Sequence, residues 1–186
     1  MKSSRHDAPI VNAGSMADIA FLLLIFFLVT TTISVENGIQ RKLPKPCLPG
    51  EKCQIDINDR NILKILINNN DELFIEDKLV NLSDVKEITK LFLDNNGDKS
   101  CSYCNGNELK NSSDNPKTAV ISLQNAKETS YNFYIKVQDE LTKAYFELRT
   151  LYAYKTFNKS PDALTENELK QIKEAYPFML SEAETK

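Results

Sequence analysis

Histidine is almost missing from this chain: His6 is the only one in 186 residues. Glycine is sparse too, with five residues, and none of them builds a phosphate-cradling loop. Without a Ser-His-Asp set, a glycine-rich loop or a His-rich metal cluster, ordinary enzyme chemistry and a resident cofactor lack their parts. Charge of one sign is not in excess either. The 23 Lys and Arg face 26 Asp and Glu, a net charge of −3. No basic stripe with interleaved aromatics stands out, which argues against a nucleic-acid partner. The chain averages polar, with mean hydropathy −0.38, and long apolar runs are lacking with one exception. That exception decides the class.

Between Asp7 and Glu36 the only charged residue is Asp18, and residues 19–29 (IAFLLLIFFLV) are an unbroken apolar run. At 1.5 Å per residue, a helix over residues 14–35 is about 33 Å long, enough to cross a hydrocarbon core of about 30 Å. A cleaved signal peptide is the rival reading. Its charged region would have to include Asp7, with Asp18 beside the apolar core, and no small-x-small cleavage site follows before Glu36. The expectation is an uncleaved anchor. Lys2 and Arg5 on one side face Arg41, Lys42 and Lys45 on the other, so charge alone does not orient it. The cysteines help. Cys47, Cys53, Cys101 and Cys104 all follow the span in two close pairs, as expected if that side is oxidising. Four cysteines allow three pairings, and the C-x5-C and C-x2-C spacings also suit zinc. Disulfides rank first, because the second pair sits in a polar loop where a structural staple is the plainer reading.

An ionisable group inside a span is expensive and usually faces a bundle interior or a water path, so Asp18 is a functional candidate by default. The bland alternative is a carboxylate at the interfacial helix start, where the macrodipole welcomes negative charge. On a helix Asp18 shares a face with Ser15, Leu22, Ile25 and Val29, and approximately with Thr32. Asn12 and Ser15 are candidates to bond or hydrate the carboxyl. Local capping explains them equally well.

Beyond the span, residues 36–60 hold Pro44, Pro46, Pro49 and Gly50 without sustained periodicity, an extended linker after a tail (1–13) and helix (14–35). Residues 61–157 read as one small α+β domain of order β-β-α-β-α. The run Ile62, Leu63, Ile65, Leu66, Ile67, the turn cluster 68–71 and Leu73-Phe74-Ile75 predict a hairpin. Ser83 is a candidate cap for a helix carrying Val85, Ile88, Leu91 and Phe92. Residues 118–123 read as a strand, and a helix from Ser130 carries Phe133, Val137, Leu141, Tyr145, Leu148 and Tyr152 on one face, a stripe expected to be core. Its Tyr145, Tyr152 and Tyr154 also raise the possibility of a partner surface. The remainder, 158–186, reads as a helical extension opened by a capping box at Thr165 and Glu168.

The stretch from Val11 to Ile19 (VNAGSMADI), with the apolar run after it, resembles the ExbD/TolR family of biopolymer-transport proteins. That family places an asparagine six residues before a membrane aspartate near the start of its only span, here Asn12 and Asp18. Leu43-Pro44 is similar to its leucine-proline pair in the periplasmic linker, and most of residues 9–150 follows its pattern. The resemblance implies that Asp18 takes up and releases a proton within a complex containing a multispan ExbB-like or TolQ-like partner, with at least two copies of the present chain. It further implies an inner-membrane location, a cytoplasmic N-terminus, a periplasmic domain and output to a TonB-like or TolA-like protein acting on the outer membrane. Taking a carboxyl out of water favours its neutral form, and a proton crossing 100 mV brings about 2.3 kcal/mol. Two other readings compete: a membrane-tethered interaction domain, and a flagellar-type stator subunit, for which the domain is short. Shorter family members close with a strand soon after the long helix. No strand pattern follows here, which leaves the completion of the last sheet edge in question; an open edge would suit dimer pairing or strand capture.

Overall fold

The structure is a computed structural model that describes residues 12–30 and 57–184. The chain divides into two compact units, Met1–Glu51 and Lys52–Lys186. The first contributes one helix, α1 (Ala13–Thr30), with no buried residue.

In the second unit, strands β1 (Ile62–Ile67) and β2 (Leu73–Ile75) form the expected antiparallel hairpin. Asn68 builds its turn: Oδ1 accepts from the N–H groups of Asn70 and Glu72, both at 2.9 Å. A third strand, β3 (Lys78–Val80), extends the hairpin and was not legible in the sequence. It is joined by the two-residue turn Glu76-Asp77 with φ of 49° and 63°. Such a turn needs positive φ at both centres, usually signalled by Asn-Gly or Asp-Gly, and Glu-Asp carries no such signal.

Helix α2 (Leu82–Leu93) crosses over from that hairpin, and β4 (Val120–Asn125) then pairs parallel to β1. The expected cap shifts: Asn81, not Ser83, is the N-cap, and Ser83 lies in the first turn with its hydroxyl on Asp84. Leu91 also falls off the buried face, which uses Val85, Thr89, Phe92 and Leu93. Helix α3 (Tyr131–Phe157) opens as expected on Ser130, whose hydroxyl accepts from the Phe133 N–H. Asp71 from the hairpin turn in turn accepts from both the N–H and the hydroxyl of Ser130, at 2.8 and 2.6 Å. These bonds hold its carboxyl below the ordinary carboxylate value.

After α3, helix α4 (Glu166–Ala175) carries the complete Thr165–Glu168 capping box. The chain then adds strand β5 (Leu180–Glu184), parallel to β4, giving the sheet order β3-β2-β1-β4-β5. This corrects the expectation of a purely helical extension and completes the sheet edge that the sequence left in question. The segment LSEAE has no branched or aromatic run, as suits a short charged edge strand. Its pairing is made by backbone groups that side-chain pattern does not reveal.

Alternating residues of β1 and β2 (Leu63, Ile65, Ile67, Leu73, Ile75), with Ile121 and Leu123 of β4, form one face of the core. Against them pack Val85, Phe92 and Leu93 of α2 and Val137, Leu141, Tyr145 and Leu148 of α3. The apolar stripe of α3 is therefore core, as expected. Of the three tyrosines considered for a partner surface, Tyr145 is 1 % exposed, Tyr152 packs on the core and Tyr154 faces solvent at 51 %.

Candidate functional site

Helix α1 is built from residues that leave water readily. Its 18 residues average a hydropathy of 2.1, and Phe21, Leu24, Phe26, Phe27, Leu28 and Val29 all stand exposed. An apolar surface that continuous is not tolerated in water by a monomeric domain, and it is the surface that a bilayer covers. In hydrocarbon each polar group needs an internal partner, so the polar residues of α1 carry the information. Asn12 is spent on the backbone: its carbonyl accepts from the Met16 N–H at 3.3 Å and its side-chain oxygen from the Gly14 N–H at 3.0 Å, the pattern of an N-cap. At the other end the Thr30 hydroxyl donates back to the Phe26 carbonyl at 2.8 Å.

Asp18 is different. It lies beyond the first helical turn, about 7.5 Å along the axis from Ala13 at 1.5 Å per residue, with an exposed side chain. Among the described residues its carboxylate has no hydrogen-bond or ion-pair partner. The macrodipole fades within the first turn, and the cap position is already filled by Asn12. Ser15 before it and Leu22, Ile25 and Val29 after it lie on one helical face with Asp18. Thr32, Leu43, Pro44, Cys47 and Cys53 lie outside the described residues.

Of the sequence-flagged residues in the domain, Cys101 and Cys104 form a disulfide with Cα atoms 5.6 Å apart. The polar loop that contains them is fixed by side chains that sequence reasoning passed over. The amide of Asn95 donates to the carbonyls of Leu109 and Ser113, each at 2.8 Å, and accepts from the Leu109 N–H at 2.9 Å. The Ser113 hydroxyl donates to the Phe92 carbonyl. Buried Asp114 accepts from the Asn61 amide at 2.9 Å and from the Arg60 guanidinium at 3.0 Å, tying the loop to the entrance of β1. Only the Asn-rich composition could have pointed to this, since amides bond to backbone in turns.

A family model described as ExbD: Biopolymer transport protein ExbD/TolR matches residues 4–152. The chain belongs to the ExbD/TolR family. No curated protein matches it individually. The ExbD/TolR match takes in α1 with Asp18 and the domain as far as α3, stopping short of α4 and β5. Membership makes the protein a membrane-associated subunit for biopolymer transport at the inner membrane, in a family that works in general with ExbB/TolQ and TonB/TolA partners.

Proposed function

We propose that this ExbD/TolR protein is the proton-carrying subunit of an inner-membrane motor, and that Asp18 is the carrier. The observation that carries the reading is a carboxylate beyond the first turn of an apolar helix, with its cap position already filled and no partner among the described residues. A bilayer does not leave such a group unattended; in membrane helices it faces a bundle interior or water path, which a multispan ExbB-like or TolQ-like partner supplies. Desolvation favours the neutral carboxyl and hydration the ionised one, so alternating access to water gives one proton moved per cycle. Ser15, one turn away, and the capped end at Asn12 support the helix start beside it. Leu22, Ile25, Val29 and Thr32 form the packing face toward a second copy and the partner. The N-terminal tail lies in the cytoplasm and the domain in the periplasm, where the Cys101–Cys104 disulfide is at home. Its motion passes, through the linker containing Leu43 and Pro44, to a TonB-like or TolA-like protein.

Asp18→Asn tests the proposal. Asparagine matches the size and hydrogen-bonding reach of aspartate but exchanges no proton. Proton-motive-force-dependent uptake or envelope function is expected to be abolished at matched protein level, with membrane insertion and partner copurification retained. Wild-type activity in Asp18→Asn would leave the helix as a tether and remove the carrier.

A further inference from the structure

The Cys101–Cys104 disulfide encloses only Ser102 and Tyr103, and the tyrosine reaches the part of the chain that lies outside the family match. Its hydroxyl donates to the carbonyl of Ala175, the last residue of α4, at 2.7 Å. Its ring meets Tyr152 of α3 edge-on at 5.0 Å and Tyr176 at 5.5 Å between centroids. Tyr176 stands at the exit of α4, a few residues before β5. Its carbonyl accepts two bonds from Arg149 of α3, at 3.0 and 2.7 Å, and its hydroxyl donates to Asp94 at 2.7 Å. Burial and the Asp94 bond push that hydroxyl well above its ordinary value, so it stays a donor. Asp94 holds the far side of the disulfide loop as well, accepting from the Asn105 N–H with its carboxylate and from the Gly106 N–H with its carbonyl, both at 3.0 Å.

We propose that this disulfide is a redox-sensitive clasp that seats the C-terminal strand β5 on the sheet. The two cysteines are unequal. Cys101 is 8 % exposed and gripped on both backbone groups by the Asn96 amide, at 2.9 and 3.1 Å, whereas Cys104 is half-buried and reachable. A dithiol is the reductant. One of its thiolates attacks Cys104 Sγ, the disulfide breaks, and the electron pair leaves on Cys101 Sγ, which takes up a proton. The second thiolate then attacks the mixed disulfide, releasing Cys104 as a thiol and the reagent as its own disulfide. With the bond open, Cys101 stays gripped by Asn96 and Asn105 stays pinned to Asp94. The backbone of the segment between them, with Tyr103, is then held only by the long bonds that Lys155 and the Asn105 amide donate to the Tyr103 carbonyl, at 3.4 and 3.3 Å, and gains room to pivot. The extension then loses the Ala175 bond and one aromatic wall, and β5 follows.

The test is hydrogen exchange, read by mass spectrometry, on the full chain in detergent before and after dithiothreitol. Reduction is expected to raise exchange over Leu180–Glu184 and residues 103–106 roughly tenfold, the scale of one lost buried hydrogen bond, with β1 unchanged and oxidation restoring the slow rates. A Cys101→Ser/Cys104→Ser chain should exchange fast there from the outset and ignore dithiothreitol. Unchanged β5 protection on reduction overturns the clasp. So does an equal rise in β1, which would mean global loosening, or a double variant that still responds, which would assign the effect to Cys47 and Cys53.

Discussion

Although the family match ends inside α3, the side chains make the remainder part of the same folding unit, and Ile172→Ala measures this. Ile172 of α4 is 4 % exposed, and it lies with Ala175 and Tyr176 at the seam with α3, where Ala153 and Leu148 are also buried. Cutting a buried isoleucine back to alanine loses its transfer energy and leaves a cavity, about 3 kcal/mol in a packed site. Were the extension an appendage that frays by itself, that loss would stay local. The unfolding midpoint would then stay where it is. If the extension unfolds with the sheet, a loss of this size lowers the midpoint by roughly 10 °C for a domain of this size. Near-ultraviolet circular dichroism of the tyrosines in the detergent-solubilised chain reads it, since the protein has seven tyrosines and no tryptophan. A midpoint moved by less than about 2 °C, with exchange raised over α4 alone, would refute the integration.

Three further outcomes are expected. Glu168, bonded to Lys159 and to the Thr165 backbone and hydroxyl, is held at about 2 against an ordinary 4.5. A depressed carboxyl stabilises fully above its unfolded value and stops doing so as pH falls through its folded one, so Glu168→Gln should flatten the stability curve between pH 4.5 and about 2, read by acid titration of the helical signal. Burial raises the Tyr145 hydroxyl from 10.0 to about 12, so its contribution is complete below pH 10 and fades toward 12, and Tyr145→Phe should make the alkaline limb shallower while the part due to Tyr176 remains. In the membrane, single cysteines along α1 should crosslink between copies at Leu22, Ile25 and Val29 with helical periodicity. Silence at all three in an intact complex would count against a dimeric helix pair.

What could be read from the letters alone followed the strength of the local signal. The apolar run of α1, the stripe from Val137 to Leu148 and the Thr165 capping box each rest on a period or motif confined to neighbouring residues, and each forms as expected. The hairpin turn was legible because Asn68 satisfies its own neighbours. Strand β3 was hidden by a Glu-Asp turn in a conformation that those residues seldom adopt, and β5 by the absence of any side-chain pattern at an edge made by backbone pairing. The grip of Asn95, Asn96 and Asp114 on the cysteine loop was hidden for another reason. Amide and carboxylate partners up to 54 residues apart are chosen by the tertiary fold, and composition only hints at them.

For the proposed proton carrier, the family motif pointed to Asp18, and the structure adds an energetic constraint on what such a carrier can drive. A proton falling through 100 mV releases about 2.3 kcal/mol, while a small domain is stable by about 5–15 kcal/mol. One proton therefore cannot melt the core of Leu63, Ile65, Ile121 and Leu141, whose packing is shared by strands β1, β2 and β4 and helices α2 and α3. It is enough to shift an element held by a few bonds. In this domain the outer strands fit that description: β3 has three residues with Leu79 exposed at 66 %, and β5 is a charged edge strand seated partly through Tyr176 and Met179. If Asp18 drives the domain, the stroke has to travel as a rigid-body displacement of the sheet and helices or as a change confined to those edges. A mechanism that requires the central β1–β4 pair to open on each proton asks for more energy than the gradient supplies.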